Sequence, residues 1–201
     1  MTHGQLEAGS AGRTAAGEAL FVLALAAIGD DRHESYPANH ASHGGAWVSM
    51  NTGPIARASA TIAAPAADVW EALVTPPAIK MYMFDATVTS DWVVGSPIVW
   101  IKEWQGRVYE DKGIILQIVR ARILEFSYFS PLAGAADLPE NYHIVTVHLS
   151  SNGAQTRVSL SQDNNLTEGA RERAERNWGM MLAGLKHFVE HDRPTIDTEL
   201  D

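Results

Sequence analysis

From Phe84 to Asp163 apolar residues recur at every second position, and from Trp178 to Val189 they recur at every third and fourth. The first spacing belongs to strands with one buried face, the second to a helix with one apolar stripe. Each face needs a cover, and each can cover the other. The fold class expected is therefore α+β, a curved antiparallel sheet wrapped around a long C-terminal helix. Candidate strands are Arg57–Ile62, Ala86–Ser90, Pro97–Trp104, Val108–Val119, Ile123–Ser130, Tyr142–Leu149 and Thr156–Asp163. Gly95, Gly106 and the pair Asn152-Gly153 mark turns between them.

Alternation assigns the faces. Leu124, Phe126 and Tyr128 point inward while Glu125 and Ser127 point out. His143, Val145, Val147 and Leu149 share the inner side, and His148 does not. Thr156, Val158, Leu160 and Gln162 face in. Pro97–Trp104 is ambiguous: Ile98, Trp100, Lys102 and Trp104 lie on one side, Val99 and Ile101 on the other. Either both faces are covered there or a bulge shifts the register. The stretch Pro131–Asn141, with two prolines and a glycine, is long for a hairpin loop, and long loops are often functional.

Two further helices precede the meander. Pro65 opens the first, Asp68 and Glu71 suit its positive end, and Val69, Trp70, Leu73 and Val74 form its stripe. Thr75-Pro76-Pro77 ends it, and Ala78–Met83 is a short second helix. The final helix starts near Thr167, an acceptable N-cap. Its apolar face is Trp178, Met181, Leu182, Leu185, Phe188 and Val189.

The chain changes character at Met50. Residues 1–50 are rich in Gly, Ala, Ser and His and read as an irregular N-terminal extension, of which residues 1–49 are expected to be dispensable. Residues 51–193 read as one domain and 194–201 as a tail. The longest apolar run, Ala19–Ile28, is short of the roughly 18 residues of a membrane span. Glu7 and Glu18 stand before or at its edge with only Arg13 as a basic residue, so the positive leader of a signal peptide is missing. The chain has no cysteine, which excludes disulfides and thiolate chemistry and fits a cytoplasmic location. A formal net charge of -9 with no basic run argues against nucleic acid and against an anionic membrane surface.

The order strand, two helices, long meander, long helix carries a resemblance. Ile62-Ala63-Ala64-Pro65-Ala66-Ala67-Asp68-Val69-Trp70-Glu71-Ala72-Leu73 resembles the opening motif of the SRPBCC (START-like) superfamily. The branch is the one named for the C-terminal domain of the heat-shock-protein-ninety ATPase activator homologue. Trp92-Val93-Val94-Gly95, Gly113-Ile114-Ile115-Leu116, Thr156-Arg157-Val158-Ser159-Leu160 and Asn177-Trp178 with Leu182 and Leu185 follow in the family's order. Tyr109-Glu110-Asp111-Lys112-Gly113 and Pro139-Glu140-Asn141-Tyr142-His143 are similar to uncharacterised bacterial members. The resemblance covers Ile55 to Glu190. It implies a helix-grip fold with a deep cavity between sheet and C-terminal helix, often used for apolar or aromatic ligands. Fold alone does not name an activity.

Six inward residues are candidate ligand contacts: Trp100, Phe126, Tyr128, His143, Trp178 and Met181. Taken singly each aromatic reads as ordinary core, but as a group they read equally as a pocket, because a sheet around one helix encloses more volume than a single helix face fills. His143 has a suitable pKa range for acid–base work, yet no inward carboxylate is evident on neighbouring strands to orient it, so no catalytic set is expected. Lys102 and Glu103 are adjacent on a strand and face opposite ways. Of His33, His40 and His43, the last two have a local spacing suited to a metal, but the segment reads as irregular and has no nearby thiolates, so neither a metal nor a cofactor is expected. The expected function is binding of a small apolar or aromatic molecule. The alternatives are a cyclase-, aromatase- or hydrolase-like enzyme using the same cavity, and a chaperone-directed interaction module. Oligomeric state is not legible.

Overall fold

The protein is described here by a computed structural model covering residues 53–104 and 106–193. The expected N-terminal extension over residues 1–50, the tail over 194–201 and the histidines His33, His40 and His43 lie outside the described residues.

The strands are β1 Ala56–Ile62, β2 Thr87–Ser90, β3 Pro97–Trp104, β4 Arg107–Val119, β5 Ile123–Tyr128, β6 His143–Ser151 and β7 Thr156–Gln162. They form one antiparallel sheet in the order β1-β7-β6-β5-β4-β3-β2. From β2 to β7 each strand pairs with the next in sequence. The chain between β1 and β2 must therefore cross the whole sheet, and it does so through two helices, α1 Ala66–Val74 and α2 Pro76–Tyr82. Pro65 is the cap before α1 rather than its first residue, and Thr75 closes it. Pro76 and Pro77, expected only to end α1, also begin α2. A first helical turn has N–H groups without intrahelical partners, so proline costs nothing there.

Helix α3, Glu168–His187, lies against the inner face of the sheet and continues into a wider π-helical turn, Phe188–Asp192. Thr167 caps it, its hydroxyl accepting from the Ala170 N–H at 3.1 Å. Met181, Leu182, Leu185, Phe188 and Val189 are buried against α1, α2 and the sheet, joining Ile62, Val69, Trp70, Ile115, Val145 and Val158 in one core. Helix α3 and the turn that continues it also cover the free edge of β1 and the residue after it. Glu175 accepts from the Arg57 N–H at 3.1 Å, Glu190 accepts from the Ala63 N–H at 2.7 Å, and the Lys186 ammonium donates to the Thr61 carbonyl at 2.8 Å. These charged side chains occupy backbone groups that an edge strand would otherwise offer to another chain.

The sheet bends at the middle of β4. Its first half pairs continuously with β3, from Trp104↔Arg107 to Pro97↔Ile114, while its second half pairs with β5 after a register shift between Ile115 and Gln117. The suspected bulge thus sits in β4 and not in Pro97–Trp104. In β3 Ile98, Trp100 and Lys102 face inward, and Val99 and Ile101 are outer residues. At the bend Ser127 is 1% exposed, against the expectation that it faces solvent. The strands approach so closely there that the Ser127 hydroxyl accepts from the Ile114 N–H at 2.9 Å, standing in for a ladder bond.

Candidate functional site

Between the bent sheet and α3 lies a cavity of about 360 Å³. Pockets that hold small molecules span about 300–1,000 Å³ and are mostly apolar with a few placed polar groups. Trp100 of β3, Phe126 and Tyr128 of β5, His143 of β6, and Trp178 and Met181 of α3 all line it. The strand alternation places the first four on one face, and the helical spacing turns the other two toward them. Their rings form a continuous wall. Trp100 meets Phe126 at 5.3 Å between ring centroids and Tyr128 edge-on at 5.7 Å, while Tyr128 meets Trp178 edge-on at 6.1 Å and His143 at 6.3 Å. Such tilted and edge-to-face pairs are favoured by the ring quadrupoles.

Trp178 is half-buried, and its orientation is set by hydrogen bonds. Its indole N–H donates to Gln162 Oε1 at 2.8 Å, and the Gln162 amide donates to Asn165 Oδ1 at 3.1 Å. Asn165 in turn donates to the carbonyls of Gln162 and Pro54. The rim is built from the long loop after β5, which folds into two 3₁₀ turns, Pro131–Ala133 and Pro139–Asn141. Ala133 and Asn141 reach the cavity. Asn164 holds this loop to the start of the β7–α3 connection by donating to the carbonyls of Glu140 and Tyr142.

One cluster went unseen in the sequence. Asp111 of β4 is 1% exposed and faces the cavity floor. Lys102 donates to its Oδ2 at 2.6 Å, and the Tyr128 hydroxyl donates to the same oxygen at 3.0 Å. The Lys102 side chain is itself only 13% exposed. Burial, with the Asp111 carboxylate beside it, raises the Tyr128 pKa well above its usual value, so the hydroxyl keeps its proton and remains a donor. The usable signal was register: Asp111 shares a face with Gly113 and the buried Ile115, and it pairs across the ladder with inward Trp100.

His143 is held by a backbone carbonyl. Its Nδ1 bonds the Asp163 backbone carbonyl at 2.7 Å, which makes Nδ1 the protonated nitrogen and leaves Nε2 as an acceptor. Burial lowers its pKa, outweighing the opposing pull of the Asp163 carbonyl and charge. A buried neutral histidine subtracts no stability above the unfolded-state pKa of about 6.5 and progressively costs stability as pH falls below it, because only the unfolded chain takes up the proton freely. Between pH 7 and pH 5 the parent is therefore expected to lose more stability than His143→Asn. Denaturant midpoints of both proteins across that range check this, and parallel curves would contradict it.

Among the described residues no group of three or more His, Asp or Glu could hold a metal ion. No helix among them is long and apolar enough to cross a membrane.

A bent antiparallel sheet, a helix gripped across its inner face and a cavity between them define a helix-grip domain of the ligand-binding type. The model of the family "Activator of Hsp90 ATPase homolog 1-like protein" matches residues 63–190, and the chain belongs to that family. Among solved structures it is similar to ChR145 from Cytophaga hutchinsonii, at 52% identity and a TM-score of 0.63, over 71% of this chain and 98% of that one. It shares the fold of the Aha1 dimer from Colwellia psychrerythraea, at 17% identity and a TM-score of 0.55, over 70% of this chain and 99% of that one. CalU16 from Micromonospora echinospora is a third neighbour in fold, at 20% identity and a TM-score of 0.53, over 73% and 88% of the two chains. None of the curated proteins compared with the chain matches it.

Proposed function

We propose that the domain is a non-enzymatic binding module for a small apolar or aromatic molecule held between the sheet and α3. The observation that carries this reading is the convergence of Trp100, Phe126, Tyr128 and Trp178 on one cavity, with Met181 closing it from the helix. Aromatic walls supply large apolar contact area, and a thioether adapts to irregular ligand shapes. An enzyme reading would ask for a carboxylate that orients His143 as a base, and the Nδ1 of that histidine is instead engaged by a backbone carbonyl. The polar floor of Asp111, Lys102 and Tyr128 fits the role of the few groups that fix a ligand's orientation.

The test is calorimetric titration of the protein with a panel of apolar and aromatic molecules small enough for the cavity, with tryptophan emission followed in parallel. Saturable one-to-one binding that alters the emission is expected from part of the panel. Absence of saturable heat from every member would remove the proposal.

A further inference from the structure

We infer that the cavity's ligand carries one carboxylate beside its apolar body, and that the Arg173 guanidinium at the rim holds that carboxylate. The inference rests on the cavity being a ligand site and names the charge its ligand brings.

Arg173 stands on the stripe of α3 that also presents Ala170, Ala174, Trp178 and Met181 to the cavity. The spacings of three and four put these residues on one helix face. Arg173 is half-buried there, while its neighbours Glu172 and Arg176 are exposed. Long side chains on a helix lean toward its N-terminus. The guanidinium accordingly lies back over the first turn, its Nη1 only 3.5 Å from where a Cβ on Gly169 would stand. That is the open end of the cavity, where Thr167 and the 79% exposed Leu166 also line it.

The helix supplies this cation with no counter-charge. All three carboxylates of its first two turns close on Arg171 instead: Glu168 at 2.6 Å, Glu172 at 3.7 Å and Glu175 at 2.6 Å. Among the described residues Asp111 is the only acid lining the cavity, and it lies on the sheet, engaged by Lys102 and Tyr128. Arg173 makes no hydrogen bond or ion pair with any described residue. A guanidinium that offers five donors thus lines the cavity unpaired, in a chain whose formal net charge is -9.

The guanidinium fork matches the two oxygens of a carboxylate. One cation balances one negative charge, which favours a monoanion over a phosphate monoester, whose charge is about -1.5 to -2 at pH 7. Arg173 and Met181 are about 12 Å apart along the helix axis. A two-ring aromatic acid spans that distance with its head at the rim and its rings beside Trp178. The alternative role for Arg173 is to cover apolar surface with its stem while its head stays in water. That role is indifferent to ligand charge.

Calorimetric titration of the full chain with 2-naphthoate, 2-naphthamide and 2-naphthyl phosphate separates the two roles. The carboxylate and the carboxamide share one shape and differ in charge. 2-Naphthoate is expected to bind about tenfold tighter than 2-naphthamide, as befits one charge-assisted pair, and this preference should shrink as salt is added. In Arg173→Met, which keeps most of the stem and removes the charge, the preference should vanish. In Arg173→Lys, which keeps the charge and loses the fork, it should be intermediate. Equal affinities of 2-naphthoate and 2-naphthamide in the natural protein, or a preference that survives in Arg173→Met, would overturn the inference and leave the ligand site standing. Tighter binding of 2-naphthyl phosphate than of 2-naphthoate would overturn the assignment to a carboxylate. Failure of all three to bind would remove the ligand-site reading and this inference together.

Discussion

Replacing Gly113 by alanine is expected to destabilise the domain by about 3 kcal/mol or more, at or beyond the top of the usual range for a forced backbone shift. An added Cβ at that position would lie 1.6 Å from the Ser127 carbonyl oxygen and 2.6 Å from its carbon. Both are backbone atoms of the neighbouring strand, so no side-chain rotation relieves the overlap. The strands can only separate, and separation removes the Ile114 N–H bond to Ser127 and the pairing of Lys112 with Phe129 beside it. Asp111 and Tyr128, which line the cavity, lie on the two strands that meet there. Loss of stability and loss of ligand binding should therefore appear together. Gly179→Ala is the matched control. It lies on an exposed face of α3 with open space around it, and the change should stabilise the domain by about 0.5–1 kcal/mol through helix propensity. Denaturant midpoints for the two variants decide the matter; a Gly113→Ala protein as stable as the parent would mean that the two strands do not meet so closely.

Lys102→Met is expected to cost about 3–5 kcal/mol, because it strands a carboxylate at the cavity floor without its counter-charge. Asp111 is 1% exposed and cannot turn to solvent without opening the sheet. Removing the whole cluster should behave differently. The triple replacement Lys102→Met, Asp111→Leu, Tyr128→Phe leaves no buried charge and no hydroxyl in search of an acceptor. It is expected to be as stable as the parent or more stable by about 1–4 kcal/mol, since buried ion pairs seldom repay their desolvation. That outcome would fit a cluster retained for recognition rather than for stability. Urea melts of the single and triple variants check this. A triple variant that falls as far as Lys102→Met would show instead that the cluster holds the fold together.

The fold was legible because two spacings, period two and then three to four, continue without interruption and demand a common interior. Leu124, Phe126, Val145, Val147, Val158 and Leu160 each fall on the face that alternation assigned to them. What alternation could not convey is a departure from regular pairing. Ser127 is buried because β4 bends toward it, and a bend has no signature in a pattern of apolar and polar letters beyond a lone Gly113. The six apolar and aromatic candidates were readable from their faces, and all line the cavity. Asp111 was not, since a buried carboxylate among Tyr109, Glu110 and Lys112 looks like one more residue of a solvated charged stretch. Its burial is explained by Lys102, which stands nine positions earlier and whose inward aim depends on the β3–β4 register.

The most direct test of the cavity as a ligand site is two-dimensional NMR of the tryptophan indole N–H groups during titration with 2-naphthol. Trp100 and Trp178 line the cavity, while Trp70 is buried in the core outside it and serves as an internal reference. Saturable shifts of the Trp100 and Trp178 resonances with Trp70 unmoved are the expected result. Resonances of Trp100 and Trp178 that stay fixed through the titration, or move no more than Trp70, would contradict it.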